Sequence, residues 1–114
     1  MDDLTNDAKY LLSRMYAEYI QRRKNGDSKS VAINFGKSDS VHEKIMPAWL
    51  PEDVRFTIKE LKDNNFLNAT MASDVYYNVS LTPLAISKME SKFKDDASKV
   101  LDFAVKVKSL IPFI

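Results

Sequence analysis

Apolar residues at the start of the chain fall at Leu4, Ala8, Leu11, Leu12, Met15, Tyr19 and Ile20, with Lys9, Arg14, Glu18 and Arg22 between them. Such steps gather the first set on one face of a helix and the second on the other, which predicts an amphipathic helix over 4–24. Asn25-Gly26 closes it, because both residue types accept the left-handed conformation at a helix end. Residues 27–37 fit two patterns. Ser28 can cap a short helix through Phe35 that ends at Gly36, while the β-branched Val31 and Ile33 suit a short strand; the helix is preferred. Another short helix is expected over 38–46, capped by Asp39 or Ser40, with Val41 and Ile45 inward.

Pro51 suits the first turn of the next helix, where its missing N–H costs nothing. Glu52 and Asp53 complement the dipole there, and Val54, Ile58 and Leu61 form the core stripe. Asp63-Asn64-Asn65 ends this helix, and two alternating runs follow. In strand 66–72, Leu67, Ala69 and Met71 share a face; in strand 75–81, Val75, Tyr77, Val79 and Leu81 do, with Ser73-Asp74 as the turn. Thr82-Pro83 then starts a helix carrying Leu84, Ile86, Met89 and Phe93. A final helix over about 98–110 carries Val100, Leu101, Phe103, Ala104, Val105, Val107 and Leu110, more than one buried stripe requires. Together with Ile111, Phe113 and Ile114, this predicts a homodimer through the C-terminal helix.

The order of helix, short elements, helix, hairpin and helix resembles the winged helix-turn-helix superfamily. In that resemblance helix 51–64 takes the recognition position and strands 66–72 and 75–81 form a two-stranded wing. The junction Val79-Ser80-Leu81-Thr82-Pro83-Leu84-Ala85 looks like the passage from wing to following helix in small bacterial winged-helix proteins. The segment from Glu18 to Gly26, with Asn34-Phe35-Gly36, is similar to small uncharacterised proteins of Gram-positive bacteria and their mobile elements. The expected fold is therefore mainly α (α+β), a single winged-helix domain over 1–114 with an extra C-terminal helix. The superfamily also includes members that contact only protein.

Composition narrows the chemistry. The chain has 114 residues, 45% hydrophobic and 29% charged, and 17 basic against 16 acidic side chains leave a net charge of +1. That balance alone does not argue for nucleic acid. The absence of cysteine excludes disulfides and thiolate metal sites. The acidic start lacks the regions of a secretory signal, and no apolar run could span a bilayer, so a cytoplasmic protein without membrane contact is expected. The sequons at Asn68 and Asn78 therefore carry no weight.

Catalytic constellations are sparse. The only histidine, His42, has Met46 four residues on, where a zinc-protease helix needs a second histidine. Ser38, Asp39 and Ser40 beside it read as a polar helix start rather than a nucleophile and its orienting acid. Gly26 and Gly36 open no phosphate-cradling loop. No enzyme, cofactor or metal is expected.

Arg55, Lys59 and Lys62 are the outward cations of helix 51–64 and the candidates to read or steer on double-stranded DNA. Arg22, Arg23 and Lys24 are candidate phosphate contacts, although cations there also complement a helix C-terminus. Lys88 and Lys92 share a face that is usually just solvated. Over 51–64 the three cations meet four acidic residues, and Asp74 makes five by residue 80. The expected function is thus a small DNA-binding regulatory protein; the alternative is a protein-interaction module with an unidentified partner. Tyr10, Tyr16, Tyr19 and Trp49 are read as packing residues, and only one of Tyr76 and Tyr77 can face solvent.

Overall fold

Thr5 opens the first helix, α1 (Asn6–Lys24), by accepting the Ala8 amide on its hydroxyl at 3.2 Å. The computed structural model describes residues 1–112. Among the described residues the fold is α+β and mainly helical, with six helices and a three-stranded antiparallel sheet. At the far end of α1, Gly26 (φ +98°) donates its amide to the Arg23 carbonyl, the left-handed closure expected of this position.

Residues 27–37 hold a helical turn and a strand in succession, but Val31 lies in the helix and Ile33 at its C-cap, so the strand is not formed by the β-branched residues that suited one. Ser28 caps α2, but α2 (Lys29–Ala32) is a single turn, and Asn34–Gly36 form strand β1. The preferred helix through Phe35 is therefore corrected. Phe35 is buried beneath the Arg22 guanidinium, which lies 4.3 Å from the ring centroid. Tertiary packing of that ring outweighs the weak local preference for continuing the helix.

Helix α3 (Ser38–Lys44) follows, with Lys37 at its N-cap and no side-chain cap bond. The expected cap at Asp39 or Ser40 is corrected, because the helix begins earlier. Ser38 is buried, and its hydroxyl accepts the Tyr76 amide at 3.2 Å. Val41 and Ile45 point inward as expected. Between α3 and the next helix, Trp49 is buried against Tyr10, with ring centroids 6.0 Å apart.

Helix α4 (Pro51–Asp63) has Pro51 in its first turn and buries Val54, Ile58 and Leu61 completely. Burial of each such side chain is worth about 1.5–3 kcal/mol. Asn65, at φ +65°, turns the chain into the hairpin of β2 (Leu67–Ala72) and β3 (Val75–Leu81). Both turn residues, Ser73 and Asp74, have positive φ, as a two-residue type I′ turn requires. The sheet order is β1-β3-β2, so a third strand joins the expected two-stranded wing on the β3 side.

The predicted alternation in β3 is overturned. Asn68 pairs with Ser80 but Thr70 pairs with Tyr77, so β3 carries one extra residue. Asn78 absorbs it in the left-handed conformation (φ +54°). That bulge reverses the phase of the strand. Tyr76, Val79 and Leu81 are buried, while Tyr77 is half-exposed with the Lys37 ammonium 5.3 Å from its ring.

Thr82 caps α5 (Pro83–Phe93) by accepting the Ala85 amide and also donates its hydroxyl to the Asn65 carbonyl at 2.7 Å. Helix α6 (Ala97–Lys108) packs along α1 and touches α5. It buries Val100, Ala104 and Val107 and leaves Leu101 and Val105 in solvent. Leu110 is likewise exposed in the turn beyond it, the helix ending short of the expected residue 110. Among the described residues one apolar stripe is thus covered and a second is not. Phe113 and Ile114, counted above toward the same apolar end, lie outside the described residues.

Candidate functional site

The capping residue of α1 also reaches α4. The Thr5 amide and hydroxyl both donate to the Glu60 carboxylate, at 2.8 and 2.6 Å, fastening the start of α1 to α4. Asp53 lines a neighbouring recess with Asp7, Trp49 and Leu50. The Asp7 carboxyl is raised above its ordinary value by burial, then by the charges of Asp53 and Glu60. Two of the four acidic residues of α4 therefore lie on the flank toward α1.

The opposite flank carries the cations. Steps of four and three residues place Arg55, Lys59 and Lys62 along one face. Glu52, Arg55, Phe56 and Lys59 face Met71, Asp74 and Tyr76 of the hairpin across a shallow groove of about 370 Å³. Lys59 donates to Asp63 at 2.7 Å, which raises the ammonium above its ordinary value and lowers the Asp63 carboxyl. Both ends of that pair remain in water, where such pairs are weak. The groove is mixed in charge, with Arg55 and Lys59 set against Glu52 and Asp74.

Phe56 stands at the centre of this surface and was not singled out by the sequence reading. It is 75% exposed and shares the groove with Met71, 51% exposed, while Leu50, 66% exposed, lines the recess with Asp7 and Asp53 on the other flank. A signal did exist in the sequence. Phe56 falls between Val54 and Ile58 and off their stripe, so helical geometry directs it away from the core.

Arg22, Arg23 and Lys24 do not join this group. At about 1.5 Å per residue, Arg22 lies about 25 Å along α1 from the Thr5–Glu60 contact. Its guanidinium donates to the carbonyls of Asn34 at 2.8 Å and Ala32 at 3.3 Å, and its Nε lies 3.4 Å from Glu18. Arg23 donates to the Asp27 carbonyl at 3.0 Å, and Lys24 is exposed. Of the second lysine group, Lys92 lies 3.9 Å over the Phe103 ring.

His42 serves the loop before α4. Its Nε2 is 2.7 Å from the Trp49 carbonyl oxygen and donates to it as the Nε2–H tautomer. Ser38 is engaged by the Tyr76 amide and Asp39 is exposed, so these residues form no charge-relay arrangement with the ring. Among the described residues no group of three or more His, Asp or Glu side chains is disposed to hold a metal ion, and no helix is long and apolar enough to cross a membrane. Compared with protein-family models, curated proteins and solved structures, the chain matches none.

Proposed function

We propose that the chain is a cytoplasmic, non-enzymatic regulator of winged-helix type that binds double-stranded DNA through α4 and pairs with a second copy through α6. The single observation that carries this reading is the segregation of charge on α4. Asp53 and Glu60 are turned toward α1, while Arg55 and Lys59 line the groove beside the hairpin with Glu52 and Asp74. Lys59 is paired to Asp63, and Lys62 shares their face of the helix by spacing. Two of the four acidic residues of α4 are thus drawn off the flank that carries its three cations, and direction is what a phosphate backbone responds to. The order α3, α4, hairpin, with β1 added beside β3, supports the winged-helix assignment. In this reading α4 is the recognition helix, and Arg23 and Lys24 supply outlying phosphate contacts.

The test is fluorescence anisotropy on random-sequence duplex DNA at low and moderate salt. Binding should weaken steeply with salt, and charge reversal at Arg55 and Lys59 together should cost about tenfold or more. Binding indifferent to both changes, or absent at low salt, sinks the DNA reading. The exposed Phe56, Leu50 and Met71 favour the second reading, a protein-interaction module, which would then take its place. For the pairing, sedimentation of the full chain should give a dimer, and V105E a folded monomer. Equal mass for the two would remove α6 as the interface.

A further inference from the structure

Phe56 is the most exposed large hydrophobic side chain among the described residues. It lies on α4 opposite the buried line of Val54, Ile58 and Leu61, so it projects along the leading edge of the helix. Arg55 and Lys59 stand to one side of it, over the groove toward Met71. Resting on the DNA reading, this arrangement separates two jobs. The flanking cations reach phosphates, and the leading edge meets the base edges on the floor of the major groove. The base edges there offer donors, acceptors and one apolar group, the thymine 5-methyl. An aromatic ring cannot satisfy the donors and acceptors, and it gains by removing that methyl from water.

We infer that Phe56 is a specificity residue that selects thymine-bearing duplexes by apolar contact with the thymine 5-methyl. Of the acidic groups on the same helix, Glu60 is held by Thr5 and Asp63 by Lys59, while Glu52, one turn before Phe56, lines the groove beside Arg55.

The experiment compares the full chain on alternating dA-dT and alternating dA-dU duplexes of equal length. They carry the same phosphates and differ by the methyl alone. The dU duplex should bind about fourfold more weakly, the effect of exposing one methyl-sized apolar group. F56A should fold normally by circular dichroism, because the side chain is exposed, and should bind both duplexes equally. Equal, salt-dependent affinity of the unaltered chain for the two duplexes overturns this inference and leaves the DNA reading standing. Discrimination retained in F56A also overturns it, assigning the methyl effect to duplex shape. Absence of salt-dependent binding to either duplex removes the DNA reading and this inference with it.

Discussion

The hydroxyl of Tyr16, a side chain only 1% exposed, donates to the main-chain carbonyl of Lys94, 78 positions away in the chain. This bond ties the middle of α1 to the turn between α5 and α6. Burial, and then the nearby charges of Glu90, Tyr19 and Asp95, push the Tyr16 hydroxyl up to about 12.

Tyr16 should make the fold sensitive to strong alkali. The folded chain keeps the proton where the unfolded chain, near the ordinary value of 10.0, releases it. Its contribution is complete below about pH 10 and is lost as pH rises toward 12. Y16F should lose about 1–3 kcal/mol at neutral pH through the abandoned carbonyl, yet show a shallower alkaline decline. Urea midpoints at pH 9 and pH 11 for both chains check this; parallel declines would contradict it.

Lys94 itself occupies a conformation suited to glycine, with φ 55° and ψ −136° at the C-cap of α5. Its Cβ crowds the backbone there, at a cost on the order of 1–3 kcal/mol. K94G should therefore raise stability by about 1 kcal/mol, after allowing for the greater freedom of glycine in the unfolded chain. The Tyr16 bond uses a main-chain oxygen and survives the change. A lower Tm for K94G would show that the lysine side chain contributes more than its backbone costs.

Arg22 and Arg23 should behave differently although they are adjacent. Arg22 braces the Ala32 and Asn34 carbonyls and covers the Phe35 ring, so R22A should cost about 1–3 kcal/mol. R22K should recover little, because an ammonium lacks the planar fork that serves two carbonyls and a ring together. R23A should change stability by less than about 0.5 kcal/mol, as expected of an exposed position. Thermal melts of the three variants decide it, and equal losses for R22A and R23A would refute the bracing role.

Much of the fold was legible because several signals agreed at the same place. Pro51 with the Val54–Ile58–Leu61 stripe, and Thr82-Pro83 before α5, combine a start signal with a helical period, and both helices begin there. The phase of β3 was not legible. Val75, Tyr77, Val79 and Leu81 alternate cleanly in sequence, and a bulge at Asn78 is chosen by the sheet as a whole rather than by local preference. Residues 28–36 were ambiguous for a different reason: one helical turn and one short strand each fall below the length at which periodicity discriminates. At the candidate site, the cations of α4 were legible as outward residues. Their separation from Asp53 and Glu60 follows from the same helical spacing; what was not legible is the fastening of Glu60 by Thr5, 55 positions away.

The packing of α6 along α1 has a consequence for how the chain is made. Helix α1 leaves the ribosome well before α6, and part of the apolar cover it needs is encoded in Val100, Ala104 and Val107 of that later helix. Until those residues emerge, the nascent chain carries an unsheltered hydrophobic helix, a species open to chaperones and to non-native contacts. The core around α1 therefore closes only once α6 has been made, and a chain stalled before α6 is one for quality control to remove.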